Sequence, residues 1–243
     1  MHQKTSKLLF ILLFLFFFSC KEEENKDFVV YKTNAKNQNV YFFWKDDKNK
    51  ILKSIGNLKK YTNQNKQKLL FATNGGMYTI GNVPKGLYIE NFKKLKALDT
   101  LSGEGNFYIQ PNGIFFITKD NTCQIIDTKH FKWCKNIKFA TQSGPLLLIN
   151  GNINTSFHEP SRNLNIRNGV GIFRNGEVVF VMSKKEINFY DFASYFKKIG
   201  CQNALYLDGF VSRTYLPEKN WMQEDGNFGV MIAVMESKFN NYK

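Results

Sequence analysis

The sequence predicts an α+β domain built on a large mixed, twisted β-sheet, with barrel closure as an alternative, and about two main helices. Three observations predict it. Short apolar runs recur along the chain, and several run straight into Gly, Asn or Asp, as buried strands do where they leave a core. Only two stretches space their apolar residues helically: Ile51, Leu52, Ile55 and Leu58, and then Phe189, Phe192, Ala193, Phe196 and Ile199. No repeat and no Pro/Gly-rich linker divides the chain, so residues 28–235 read as one domain.

The first strands are Phe28-Val29-Val30-Tyr31 and Val40-Tyr41-Phe42-Phe43-Trp44, separated by Asn-rich turn chemistry. Residues 48–64 then form an amphipathic helix whose outer face is lysine and asparagine. Leu69-Leu70-Phe71-Ala72-Thr73 runs into Asn74-Gly75-Gly76-Met77-Tyr78. Paired glycines there either make a tight turn or let backbone approach a ligand. No Gly-Lys-Ser/Thr follows, which excludes a P-loop.

Gly86-Leu87-Tyr88-Ile89-Glu90 is a short strand carrying a carboxylate. Phe107-Tyr108-Ile109-Gln110 and Ile114-Phe115-Phe116-Ile117 flank Pro111-Asn112-Gly113 and read as a hairpin. Thr141-Gln142-Ser143-Gly144-Pro145 sets polar residues directly before the apolar Leu146–Ile149. Residues 150–168 are a long polar loop holding His158, Glu159, Arg162 and Arg167; loops of this length in a compact domain serve a function or move.

Val170–Phe173 and Val178–Val181 flank Asn175-Gly176, the strongest hairpin signal in the chain. Asn188 caps the second helix and Gly200 ends it. That helix feeds Ala204-Leu205-Tyr206-Leu207, a strand buried on both faces that ends at Asp208-Gly209. Phe228–Val234 is the last buried strand, and residues 236–243 are a polar tail.

The chain carries a formal charge of +14, but its lysines are spread and mixed with asparagine, without a dense basic block beside stacking aromatics. That pattern argues against nucleic acid and for anionic partners such as phosphate-bearing glycans or lipid head groups. Arg162, Arg167, Arg174 and Arg213 are the only arginines among 34 basic residues. Arg174 sits at a hairpin turn. The other three are candidates for gripping phosphate or carboxylate with the planar fork lysine lacks, or else for structural ion pairs.

Residues 1–19 read as a removable signal segment, with Lys4 and Lys7 before the apolar Leu8–Phe18. Ser19-Cys20 resembles a lipobox, although Phe17 and Phe18 depart from its usual leucine and small residue. Cys20 is then the lipidated N-terminus, residues 20–27 a tether, and the protein a lipid-anchored component of a bacterial cell envelope, in the periplasm or on the surface. A plain secretory signal is the alternative. Cys123, Cys134 and Cys201 lack CxxC spacing, so no zinc site is expected; Cys123 and Cys134 could bridge in an oxidising compartment, and Cys201 reads as a small buried hydrophobe. No cofactor and no metal site are read from the sequence.

Six stretches together resemble the phosphodiester glycosidase domain family: Asn74-Gly75-Gly76-Met77-Tyr78, Gly86-Leu87-Tyr88, Gly105-Asn106-Phe107, Thr141–Pro145, Arg167-Asn168-Gly169 and Ala204–Gly209. None is specific alone, but they occur in family order. Two departures stand out. Phe210 occupies the place of a second glycine after the aspartate, and Met77-Tyr78 replaces paired aromatics.

The resemblance implies hydrolysis of a sugar-1-phosphodiester at the glycosidic bond, leaving phosphate on the other alcohol. It requires a carboxylate at the oxocarbenium-like centre, donors for the departing phosphate and polar groups for the sugar hydroxyls. The residues that answer are Asp208 as the catalytic carboxylate with Glu90 as a partner, Arg167 and Arg213 for phosphate, and Asn74, Gly75, Gly76, Gln142, Ser143, Asn168 and Ser212 around the substrate. Two other readings are a non-catalytic lipoprotein that binds anionic glycans, and a scaffold lipoprotein whose polar strand ends are only turns.

Overall fold

The computed structural model describes residues 26–236. β1 (Phe28–Thr33) and β2 (Asn39–Phe43) precede α1 (Ile55–Gln64). Then come β3 (Leu69–Gly76), β4 (Tyr78–Thr79), β5 (Val83–Pro84), β6 (Tyr88–Glu90), β7 (Lys93–Lys96), β8 (Gly113–Thr118), β9 (Cys123–Asp127), β10 (Ile137–Ser143), β11 (Leu146–Ile149), β12 (Asn152–Ile153), β13 (Asn168–Phe173) and β14 (Val178–Ser183). α2 (Phe189–Lys198), β15 (Cys201–Asp208), β16 (Thr214–Leu216), β17 (Trp221–Met222) and β18 (Val230–Met235) complete the order.

The strands form a six-stranded sheet, β1-β14-β13-β15-β11-β12, and two five-stranded sheets, β7-β6-β10-β8-β9 and β17-β16-β3-β18-β2, with β4 and β5 as a separate hairpin. The α+β class and two helices stand as expected. The single mixed sheet does not: the ladders among the described residues are antiparallel, and the sheets do not close into a barrel. Parallel pairing needs crossover connections of a dozen or more residues, usually helical, and the described residues have two α-helices to spend on 18 strands.

All three sheets contribute to one core. Tyr31 stacks on Phe71 at 4.5 Å, Phe71 on Phe180 at 5.1 Å, and Phe42 lies 5.6 Å from Phe115 and 5.4 Å from Phe139. α1 packs Ile55 and Leu58 on the outer face of the β3 sheet, and α2 packs Phe192, Ala193 and Phe196 on the six-stranded sheet. β15 is the strand between these layers. Leu205 and Leu207 enter the shared core, while Ala204 and Tyr206 enter the α2 layer, as the two-residue period of a strand requires. This is why its sequence is apolar without alternation.

Local readings shift in three places. α1 begins at Ile55, later than expected, because Ser54 caps it by accepting from the Asn57 amide (3.2 Å) and Lys53 takes a positive φ of 65°. Phe107–Gln110 is not a strand: Asn106–Tyr108 is a short 3₁₀ turn, and β8 pairs instead with β9 and β10. Asn112 holds that turn by donating to the Phe107 carbonyl (3.0 Å). Cys123 is buried and Cys134 exposed, and both are free, so the possible bridge is absent; Cys201 is buried. The signal segment, Cys20 and the tail beyond Glu236 lie outside the described residues.

Candidate active site

Asp208 ends β15, and its carboxyl opens into a cleft of about 360 Å³ lined also by Met77, Tyr78, Lys85, Glu104, Asn106, Phe107 and Phe210. Protein packed around the carboxyl strips its hydration and pushes its pKa up to about 7, while the Gly209 amide, donating to Oδ1 at 2.7 Å, pulls the other way. Tyr78, at the base of the β4–β5 hairpin, has its pKa raised by burial and then by the Asp208 charge, so it presents a protonated hydroxyl beside the carboxyl. The Lys85 ammonium sits 4.3 Å above the Tyr108 ring and 4.9 Å above Phe107. The cleft therefore joins a carboxylic acid poised near neutrality, a phenol, a lysine and an amide. Such perturbed carboxyls in clefts are what acid–base chemistry uses.

Beneath it lies an amide lattice that sets the strand ends. Asn168, fully buried at the start of β13, donates to Thr73 Oγ1 (2.9 Å) and to the Asn74 carbonyl (2.8 Å) and Oδ1 (3.1 Å). Its own Oδ1 accepts from the Asp208 amide at 3.0 Å. Asn74 Oδ1 also accepts from the Arg213 amide (3.0 Å), and Ser212 Oγ donates to the Asp208 carbonyl (2.9 Å). Three strand ends from two sheets are tied at one knot, and Asp208 projects from it. Asn74, Asn168 and Ser212 thus position the aspartate's backbone.

The remaining expectations divide. Gln142 and Ser143 lie under the cleft rather than in it. Gln142 Oε1 accepts from the Leu87 and Asp99 amides, both at 2.9 Å, its Nε2 donates to the Asp99 carbonyl (2.6 Å), and Ser143 Oγ donates to the Leu207 carbonyl (2.8 Å). Buried polar groups are satisfied inside the fold, and these already are.

Gly75 and Gly76 do not make a turn. β3 runs through them, and a Cβ would meet Ile232 Cγ1 at 2.6 Å and Thr141 Oγ1 at 2.5 Å. They are glycine because neighbouring strands leave no room.

Glu90 does not reach Asp208. Residues two apart on a strand share a face, so Glu90 follows buried Tyr88 inward, accepts that hydroxyl's hydrogen bond, and has its pKa raised by burial. Arg213 is engaged by Asp225, to which its Nε donates at 2.8 and 2.9 Å. Arg167 is fully buried: Nε donates to the Ile187 carbonyl (2.8 Å), Nη2 to the Asn163 carbonyl (2.8 Å), and the guanidinium stacks 3.7 Å from the Phe189 ring. Burial also draws its pKa down.

Sequence reasoning assigned no role to Lys85, Tyr78, Glu104 or Asn106. Glu104, Asn106 and Tyr78 stand inside or beside two of the six motif stretches; Lys85 had no signal beyond immediately preceding Gly86. Among the described residues, no three His, Cys, Asp or Glu side chains gather as metal ligands.

Residues 67–235 match the family model described as phosphodiester glycosidase. The chain is 41% identical over 187 residues to the uncharacterized protein YigE of Escherichia coli K12, spanning 76% of this chain and 73% of that one. It is similar in fold to the catalytic domain of zebrafish N-acetylglucosamine-1-phosphodiester alpha-N-acetylglucosaminidase, described as auto-inhibited by its pro-peptide (TM-score 0.54, 15% identity, 89% of this chain and 86% of that one). It is likewise similar to a putative exported protein of Burkholderia pseudomallei K96243 (TM-score 0.58, 9% identity, 85% and 73%). At these identities the two structural likenesses speak for the fold alone.

Proposed function

The chain belongs to the phosphodiester glycosidase family, and on that premise we propose that it hydrolyses the glycosidic bond of a sugar-1-phosphodiester on a glycan or cell-envelope polymer. The observation that carries the reading is Asp208: a carboxyl raised to about 7, in a cleft that also holds Lys85 and Tyr78. Ionised Asp208 takes a proton from the water that attacks the anomeric carbon. The C1–O bond breaks, its electron pair stays on the phosphate oxygen, and the water oxygen becomes the sugar's new hydroxyl. A phosphomonoester is a good leaving group, so a strong general acid is not needed. Lys85 neutralises its charge, and Tyr78, Glu104 and Asn106 meet sugar hydroxyls. We place the protein at the cell envelope, anchored through Cys20, on the sequence pattern of residues 1–24.

The test is turnover of activated sugar-1-phosphodiesters by the purified protein and by Asp208→Asn, with circular dichroism showing both folded. Turnover by the parent alone, with kcat/KM climbing through pH 7, supports the reading. Saturable binding without turnover across several sugars replaces it with a glycan-binding protein.

A further inference from the structure

A second cavity, about 380 Å³, lies under the long polar loop, lined by Ser156, Phe157, His158, Arg162, Asn163, Phe189 and Tyr190 among others. Its described lining contains two basic side chains and no carboxylate; Glu159 belongs to the same loop but is not part of the wall. The loop is held at both ends. Buried Asn154 donates to the Leu146 carbonyl (2.8 Å) and accepts from the Ser156 amide (2.9 Å). At the far end buried Arg167 grips Asn163 through the carbonyl (2.8 Å) and Oδ1 (3.1 Å). Phe157 stacks on Phe189 of α2 at 5.2 Å and 9°. His158 and Arg162 thus stand on a braced wall over an aromatic floor.

This cavity is linked to the Asp208 cleft through two shared segments. Ile109 lines it, and Ile109 directly follows the 3₁₀ turn whose Asn106 and Phe107 line the cleft. Phe189 also packs edge-on against Tyr206 at 4.9 Å, and the Tyr206 hydroxyl lies against Gly209, next to Asp208. Arg167 Nη1 and the Tyr206 hydroxyl are both fully buried along this partition; neither makes a close, well-aligned hydrogen bond, and the two groups interact with each other electrostatically.

We propose that the loop cavity is a second subsite, which binds an anionic group one repeat beyond the scissile bond of a polyanionic glycan. His158 and Arg162 make charge-assisted contacts to that group, and Arg167 positions the loop. The inference rests on the hydrolase reading and deepens it, since it selects a repeating glycosyl-phosphate or uronate-bearing polymer over a substrate with a single phosphate.

The experiment compares an activated sugar-1-phosphodiester carrying one phosphate with an oligomer of three glycosyl-phosphate repeats, and with a uronate-bearing analogue of that oligomer. Enzymes are the parent, Arg162→Gln and His158→Gln. Binding of both oligomers to Asp208→Asn, alone and combined with Arg162→Gln, is followed by calorimetry. The expected result is a kcat/KM for an oligomer that falls about tenfold or more in each loop variant, from loss of a hydrogen bond to charge, with single-phosphate turnover unchanged. The better oligomer identifies the anion as phosphate or carboxylate. Equal losses on short and long substrates, or no loss on either, overturn the subsite. If the parent turns over no substrate the hydrolase reading falls, and calorimetry still decides the subsite: unchanged oligomer affinity on adding Arg162→Gln overturns it.

Discussion

Asp208→Asn should make the folded protein more stable at alkaline pH while abolishing turnover. The Asp208 carboxyl is raised from 3.8 to about 7 by burial, so the fold prefers it protonated. An unfolded chain ionises it near pH 4. Between these values the native state holds more protons than the unfolded one, and stability falls as pH rises, the reverse of an ordinary salt-bridged carboxylate. The shift is about 3 pKa units, and at ~1.36 kcal/mol per unit the ionised group costs at most about 4 kcal/mol above pH 8. Asparagine cannot ionise, and its side-chain oxygen can still accept from the Gly209 amide. Thermal melts of parent and variant at pH 4.5 and pH 8 measure the difference. About 3 kcal/mol of this develops between pH 4.5 and pH 8, and for a domain of this size about 2–4 °C accompanies each kcal/mol, so the variant's advantage should widen by about 6–12 °C between the two pH values. Glu90 titrates in both proteins and cancels. A gap that stays constant with pH, or one that narrows toward pH 8, would refute the buried-carboxyl argument and with it the general-base role.

Three further outcomes are expected. Lys85→Gln should lower kcat/KM for a sugar-1-phosphodiester by about 10- to 100-fold, the loss of one charge-assisted contact to phosphate, with little change in the melting curve. Gly76→Ala should destabilise by about 1–3 kcal/mol in urea titrations, because a Cβ lands 2.5 Å from Thr141 Oγ1 between strands of two sheets. Asn168→Leu should cost about 2–4 kcal/mol in the same titration, since it leaves the buried Asp208 amide without its acceptor and takes one of two donors from Asn74 Oδ1, and residual activity should fall as the Asp208 strand end loosens.

The strand that carries Asp208 was legible because it is apolar on both faces, and the structure buries Leu205 and Leu207 on one side and Ala204 and Tyr206 on the other. The Asn175-Gly176 hairpin and α2 were legible through local chemistry, a turn dipeptide and an Asn cap. Sheet membership was not. Whether β3 pairs with β18 and β16 or joins β15 depends on contacts across 140 residues and more, and no local pattern encodes them.

The site shows the same division. Motif residues were found, and the structure gives five of them work inside the fold. Asn74, Gln142, Ser143, Asn168 and Ser212 are polar residues at strand ends, which looks like substrate chemistry in one dimension. In three dimensions such ends must satisfy buried backbone groups where strands leave the sheets, and these five side chains answer that need first. Groups free to meet a ligand come from segments with less internal demand. Lys85 and Glu104 are such residues, and both line the cleft beside Asp208. Arg167 follows the same logic from the other side. Its planar fork was retained for geometry, as its scarcity suggested, but Nε and Nη2 are used on the carbonyls of Ile187 and Asn163, leaving only Nη1 toward the partition between the two cavities. If that last donor meets substrate, Arg167→Lys should damage long-substrate turnover more than short, because lysine cannot grip the loop and reach the partition together. Equal damage to both would make Arg167 a framework residue alone.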